Sequence, residues 1–403
     1  MSTKRREIEY TNPPVGPLGL IALSGITDLA SSVNSYLVKW RHESADLYKG
    51  EHIFAGHDKD NFIISASTPR FGSGEGKGII EDSIRGKDLY ILADITNSSL
   101  TYKLNGQINH MSPDDHYQDL KRIIAAAAGK CKRLNVIMPF LYEGRQHGRN
   151  TRESLDCAVA LQELVNLGVS NIITFDAHDP KIVNAIPLNG FETIPPTYQF
   201  VKGLLTHFDD IKIDTDNLMI VSPDIGATQR AVYMAGILGV NVGIFYKRRD
   251  YSILENGRNP IVAHEFLGVS PENKDVIVID DMISSGESML DVASKLKEKK
   301  ANRIFLMSTF GLFTNGMDKF DKEYENKTFD ALLTTNLTHQ SNNLLNKPYY
   351  ISCDMSKYLA FVIDILNHDE SLGAILDPVK RVTSIIDIYK EGNINLRKSS
   401  LRF

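Results

Sequence analysis

An α/β fold with two mainly parallel sheets is predicted from three observations on this chain. Apolar strand-like runs recur along it: Leu89 to Asp94, Val136 to Met138, Ile172 to Asp176, Leu218 to Val221, Val242 to Tyr246, Val276 to Ile279, Ile304 to Met307 and Ala331 to Thr335. Helical patterns at 115–128, 153–167, 227–238, 289–299 and 355–367 lie between or beside them, which is the rhythm of parallel βαβ units. Several runs, Val276-Ile277-Val278-Ile279 above all, are apolar without alternation, the habit of strands buried on both faces. So many strands exceed the usual sheet of about four to six, so two sheets are expected rather than one.

Taken in order, residues 1–50 carry no comparable alternation, and Asn12-Pro13-Pro14-Val15-Gly16-Pro17 reads as an extended linker, so an appended segment is expected there. The run at 276–279 ends in Asp280-Asp281 and passes through Met282-Ile283-Ser284-Ser285-Gly286-Glu287-Ser288 into a helix, whose Met289, Val292, Ala293 and Leu296 mark an apolar face and whose end carries Lys297, Lys299 and Lys300. Ser284 and Glu287 have capping-box spacing. After Lys390 the chain turns polar, as a surface tail does.

The 403 residues allow two domains at about 100–200 residues each. An apolar content of 42% and a charged content of 24% fit a globular protein. A net charge of -5 provides no global basic field for nucleic acid or an anionic membrane, so anionic ligands must meet local basic clusters. No stretch approaches the ~18 apolar residues of a membrane helix, and the N-terminus lacks a signal-peptide core, so a cytoplasmic location is expected. Cys131, Cys157 and Cys353 are too scattered for a disulfide framework and are expected to be small buried hydrophobes in a reducing compartment.

The chemistry gathers at strand ends. In open α/β sheets ligands lie outside the carboxyl ends of strands, where a loop feeding a helix N-terminus offers N–H groups and a positive dipole end to an anion. Asp280 and Asp281 beside such a loop suit a sugar phosphate, the acids accepting hydrogen bonds from ribose hydroxyls and the loop holding the phosphate. Turn and cap chemistry would account for the loop but not for two adjacent acids, which repel each other unless compensated. Asp176-Ala177-His178-Asp179 and Ser222-Pro223-Asp224 close two further strands, where each acid or imidazole is read either as a cap or as a ligand to a shared divalent cation. Gly144-Arg145-Gln146-His147-Gly148-Arg149 sets arginines in a glycine-rich loop that is either solvated or phosphate-binding. Lys247-Arg248-Arg249 clusters cations that call for an anion nearby.

Across 62–376 these segments resemble, in order, the phosphoribosyl pyrophosphate synthetase (ribose-phosphate pyrophosphokinase) family. Arg70-Phe71-Gly72-Ser73-Gly74-Glu75 resembles its N-terminal ATP segment, and Asn367-His368-Asp369-Glu370-Ser371 its C-terminal signature. The resemblance implies two phosphoribosyltransferase-like domains, each a mainly parallel sheet flanked by helices. It implies ATP binding by Phe71, Ser73, Glu75, Arg145 and Gln146, Mg²⁺ ligation by His178 and Asp224, and catalytic roles for Lys247 and Arg249. Ribose 5-phosphate would be held by Asp280, Asp281, Ser284, Ser285, Gly286 and Ser288. The implied reaction moves the β,γ-diphosphoryl group of ATP to the anomeric hydroxyl of ribose 5-phosphate, giving phosphoribosyl pyrophosphate and AMP, in a homo-oligomer (dimer or hexamer).

The chain departs from the family pattern at Ser284, Ser285 and Glu287, at His147 to Arg149 and after His178, while 1–50 and a loop at 251–268 have no clear counterpart. Glu287 is expected to turn back along its helix N-terminus to cap Ser284, away from a phosphate that would repel it. A non-catalytic regulatory synthetase-like subunit and a phosphoribosyltransferase are the competing readings. The expected division is an extension at 1–55, an ATP-side domain at 56–190 joined by 355–376, a ribose 5-phosphate-side domain at 191–354 and a tail at 377–403.

Overall fold

The computed structural model describes residues 12–47, 57–149, 151–249 and 261–392. Its first sheet is entirely parallel. It contains β1 (Leu18–Ala22), β4 (Asp88–Leu92), β7 (Arg133–Ile137), β8 (Asn171–Phe175) and β9 (Gly190–Ile194), side by side in that order. The short antiparallel pairs β2 (Ala66–Ser67) with β3 (Ile79–Ile80) and β5 (Thr101–Leu104) with β6 (Gln107–His110) stand outside it. The second sheet holds β10 (Leu218–Ser222), β11 (Asn241–Arg249), β12 (Ile261–Leu267), β13 (Asp275–Ile283), β14 (Ile304–Gly311), β15 (Ala331–Thr335) and β16 (Tyr350–Cys353). Their order is β12-β11-β10-β13-β14-β15-β16, and only the edge strand β12 runs antiparallel to its neighbour.

Both sheets are covered on both faces, as their unbroken apolar strands require. On the first sheet, Leu89, Ile91, Val136 and Ile172 face α2 (Pro113–Ala127) and α3 (Asp156–Asn166). Their neighbours Tyr90, Leu92, Ile137 and Ile173 face α1 (Thr27–Leu47) and α9 (Ser356–Asn367). On the second sheet, Ile277 and Ile279 point to α4 (Thr197–His207), α5 (Thr228–Leu238) and α11 (Val379–Lys390), while Val276 and Val278 point to α6 (Glu287–Glu298) and α7 (Asp318–Glu325). Two single-turn helices, α8 (Asn342–Leu345) and α10 (Gly373–Leu376), complete the set. Phe310, Leu337 and Met355 from the second sheet's side enter the core beneath α1 and α9, so the two sheets share packing.

Residues expected to form an appended segment instead complete the first sheet. Leu18–Ala22 pairs with β4, and α1 buries Leu29, Val33, Leu37 and Trp40 against α9, with Trp40 and Phe361 ring centroids 4.2 Å apart. The linker-like stretch is extended but pinned, because Val15 donates to the Asn367 carbonyl at 2.7 Å and Asn367 Nδ2 donates to the Gly16 carbonyl at 3.1 Å. The expected tail is corrected in the same way: α11 buries Val382, Ile385 and Ile386, and only 393–403 lie outside the described residues. The loop without counterpart contains β12, and its remaining residues through 260 lie outside the described residues.

Two local expectations are also corrected. β13 does not end at Ile279 but runs on to Ile283, pairing Asp280 with Ser308 and Met282 with Phe310, so the two acids lie within a strand. The α6 N-cap is Gly286, not Ser284, and no side chain caps it. Glu287 turns outward to Lys319, 3.4 Å away, and both side chains are exposed, so the pair adds little. Gly286 has φ +83°, and a Cβ there would meet Phe320 Cζ at 2.2 Å. Gly286→Ala therefore combines a left-handed backbone with an overpacked contact and should cost about 2–4 kcal/mol in urea unfolding. A loss under about 0.5 kcal/mol, the range of ordinary surface changes, would contradict this geometry.

Candidate functional site

The carboxyl ends of β8, β10, β13 and β14 supply the polar centre. Just past β8, Asp176 adopts φ +40°, a left-handed conformation that Asp tolerates better than most residues. Its Oδ1 accepts from Arg230 Nε at 2.7 Å and its Oδ2 from Thr309 Oγ1 at 2.6 Å. Burial raises the Asp176 pKa, and the Arg230 charge opposes that rise. Two residues on, His178 Nδ1 meets Asp281 Oδ2 at 2.6 Å. An ionised carboxylate only accepts, so Nδ1 carries the proton and Nε2 is the atom left for a ligand.

Asp281 is buried, which alone would raise its pKa, yet the His178 hydrogen bond and the Arg230 charge hold it below the usual carboxylate range. Asp280 shifts the other way, raised by burial and then by the Asp281 charge; Asp224 adds to the rise, so it stands close enough to act on Asp280. These opposite shifts separate the protonation of two neighbouring acids. Asp224 Oδ1 caps Ala227 N at 3.1 Å on the approach to α5.

The His178 pKa is raised, chiefly by its hydrogen bond to Asp281 and against the effect of burial. A group whose folded pKa lies above its unfolded value contributes stability in full below the unfolded value of about 6.5, and loses it as pH rises through the folded value. In the absence of metal, His178→Ala should therefore lower the urea midpoint more at about pH 6 than at about pH 9. Equal losses at both would show that the pair carries no charge.

The loop after β7 comes to the same place. Gly144, Arg145, His178, Asp176 and Asp281 line one cavity with Phe140, Phe175 and Phe310. Gln146 donates to the carbonyls of Gly148 and Ser154 at 3.2 and 2.9 Å, bracing its own loop. His147 pairs with Asp179 at 3.1 Å, and its ring lies 5.6 Å from that of His178. Tyr142 anchors the loop from behind, stacked on Tyr117 at 4.2 Å and donating to Asp114 at 2.7 Å.

Ser284, Ser285, Gly286 and Ser288 follow directly from the acids and lead into α6, whose first N–H groups face the loop. The loop is held on one side by Thr314 N donating to the Ser284 carbonyl at 3.0 Å. Phe71, Ser73 and Glu75 stand apart in an exposed turn closed on itself by Phe71 N to Glu75 O and Ser73 Oγ to Glu75 Oε2. Among the described residues no hydrogen bond, ion pair or ring contact joins these three to the His178 group. Lys247 and Arg249 lie on β11 opposite His264 and Ile261, and their side chains fall outside the described residues. Sequence reasoning missed Arg230 and Thr309. Arg230 left a faint signal, a cation on an otherwise apolar helix six residues after Asp224.

Among the described residues no group of three or more His, Cys, Asp or Glu side chains could hold a metal by itself. His178 through Nε2 and Asp224 through a carboxylate oxygen would each supply one donor, the number suited to a Mg²⁺ ion that takes one or two protein ligands and completes its shell with phosphate oxygens and water. No helix of the described residues is long and apolar enough to cross a membrane. Cys157 and Cys353 are buried, and burial pushes each thiol up to about 12, so both serve as small packing groups.

Comparison with known proteins agrees with this architecture. Residues 18–168 match the family model of the N-terminal domain of ribose phosphate pyrophosphokinase, and residues 268–377 match that of the phosphoribosyl synthetase-associated domain. The ribose-phosphate pyrophosphokinase of Vibrio parahaemolyticus is 27% identical over 79% of this chain and 94% of its own length. That of Buchnera aphidicola is 27% identical over 77% of this chain and 90% of its own. The crystal structure of phosphoribosylpyrophosphate synthetase from Mycobacterium smegmatis superposes with a TM-score of 0.65 at 20% identity, covering 87% of this chain and 99% of that one, and so shares the fold. With both family domains found in order around the acid-lined strand ends, the chain belongs to the ribose-phosphate pyrophosphokinase family.

Proposed function

We propose that this protein is a ribose-phosphate diphosphokinase, transferring the β,γ-diphosphoryl group of ATP to the anomeric hydroxyl of ribose 5-phosphate and releasing AMP. The observation that carries this reading is the meeting of His178 and Asp281 at 2.6 Å, one from each sheet, beside Arg145 on one side and the α6 N-terminus on the other. That arrangement supports a polyphosphate site next to a sugar phosphate site. Diphosphoryl transfer needs those two sites in line and little covalent chemistry from the protein.

Ser284, Ser285, Ser288 and the N–H groups around Gly286 hold the 5-phosphate of ribose. Asp280 takes the ribose hydroxyls, its raised pKa leaving it able to donate as well as accept, with Asp281 held behind it by His178. Arg145 and Gln146 bind the ATP polyphosphate, and Phe71, Ser73 and Glu75, in a separate exposed turn, carry the ATP contacts that the family resemblance assigns them. Lys247 and Arg249 neutralise charge that grows as the Pα–O–Pβ bridge breaks and AMP departs. His178 and Asp224 hold Mg²⁺, which when bound neutralises the polyphosphate. Glu287 does not oppose this reading, since it leans away toward Lys319. We further propose a cytoplasmic homo-oligomer, dimer or hexamer, with ATP and ribose 5-phosphate as its small-molecule partners.

Phosphorus NMR of a reaction containing ATP, Mg²⁺ and ribose 5-phosphate tests the regiochemistry. The expected product carries a diphosphate on the anomeric carbon and an unchanged 5-phosphate. A product phosphorylated once, or no sugar product at all, would remove the diphosphokinase reading.

A further inference from the structure

We propose that Arg230 is a positioning residue which, with Thr309, reaches from the second sheet to fix the 176–178 turn of the first, and thereby sets His178 against Asp281. This deepens the diphosphokinase reading and rests on it. The four charged side chains form a closed ring. Arg230 Nε is 2.7 Å from Asp176 Oδ1, Arg230 Nη2 is 3.8 Å from Asp281 Oδ2, Asp281 Oδ2 is 2.6 Å from His178 Nδ1, and the backbone joins His178 to Asp176. Arg230 lies against both acids, and Asp281 lies between Arg230 and His178, so one guanidinium links the two ends of the turn. Asp176 and His178 belong to the first sheet, whereas Arg230, Asp281 and Thr309 belong to α5, β13 and β14 of the second.

Two details separate positioning from mere packing. Arg230 Nη2 also donates to the Ala177 carbonyl at 2.9 Å, so one guanidinium holds both a side chain and the backbone of the turn. The fork geometry of arginine makes that double grip possible where a lysine would make a single contact. Asp176 sits at φ +40°, and its carboxylate is gripped by side chains that both come from the other sheet. The direction of His178 is thus set from across the cleft. A misplacement of about 1 Å at such a point can lower a rate by about 10²-fold.

The test uses the full chain with Arg230→Gln, Arg230→Lys and Thr309→Val. Hydrogen exchange of the segment 171–182, measured without metal or substrates, should quicken about tenfold in Arg230→Gln and less in Thr309→Val, with segment 287–298 unchanged, because local opening is governed by local contacts. In steady-state assays Arg230→Gln should lower kcat about 10²-fold with KM for ATP within about threefold, and Arg230→Lys should recover part of the loss. Unchanged exchange at 171–182 would overturn the proposal, as would faster exchange accompanied by an unchanged kcat. A parent protein that produces no AMP would remove the diphosphokinase reading instead, and the exchange measurement would still judge the brace.

Discussion

Lys247→Ala is expected to lower kcat by about 10²-fold or more while shifting the KM values for ATP and ribose 5-phosphate much less. Removal of one donor aimed at developing charge typically has that size, and interactions made only in the transition state appear in kcat rather than in ground-state binding. Lys247 and Arg249 end β11, which adjoins β10, the strand that leads to Asp224. Consecutive cations leaving a strand repel one another unless an anion comes between them, and a transferring polyphosphate is such an anion. Steady-state kinetics with both substrates varied separates the outcomes. An unchanged kcat would make Lys247 to Arg249 a solvated strand end, and an equal rise in both KM values would make them ground-state phosphate contacts.

Asp88→Ala is expected to destabilise the protein by about 3–5 kcal/mol, the loss found when one partner of a buried ion pair is removed. Asp88 is fully buried at the start of β4. Its Oδ1 accepts from Arg133 Nε and Asn135 Nδ2, each at 2.8 Å, and its Oδ2 accepts from Arg133 Nη2 at 2.8 Å, Asn367 Nδ2 at 2.9 Å and Tyr90 Oη at 3.0 Å. One carboxylate therefore joins β4, β7 and the end of α9, and through Asn367 also the 12–17 segment. Trp40 is the single tryptophan and packs on Phe361 of α9, so its fluorescence in urea reports this region directly. A loss under about 1 kcal/mol, the ordinary worth of one hydrogen bond, would show that the carboxylate is replaceable.

That network explains why part of the fold was legible and part was not. The strand and helix alternation between 88 and 367 was readable because each buried strand carries an apolar run long enough to stand out. Leu18–Ala22 carries one too, but prolines and glycines beside it speak for a linker, and its partners lie about seventy residues downstream in β4 and, through α1, in α9. The resemblance placed Asn367 to Ser371 in a family signature without a physical role. The structure gives several of these residues one: Asn367 binds Asp88, Asp369 pairs with Arg133 at 3.1 Å, and Glu370 accepts from Asn12 N at 3.0 Å.

At the site, the acids and His178 could be read because strand ends in α/β sheets are where such residues act. Their pairing could not. Asp281 was expected to face a ribose, and nothing in its neighbourhood announces a histidine 103 positions earlier as its partner. Arg230 was invisible for the same reason, since its role depends on the approach of two sheets. The capping-box expectation at Ser284 failed on a different ground: Gly286, with φ +83° and Phe320 packed against it, takes the cap position itself.

A ribose-phosphate diphosphokinase binds ATP and ribose 5-phosphate together and breaks the bridge between Pα and Pβ. The most direct measurement is quantitation of nucleotide products from purified protein with ATP and Mg²⁺, with and without ribose 5-phosphate. AMP is expected in a one-to-one ratio with ribose 5-phosphate consumed, and none in its absence. ADP as the product, or AMP released at the same rate without ribose 5-phosphate, would contradict it.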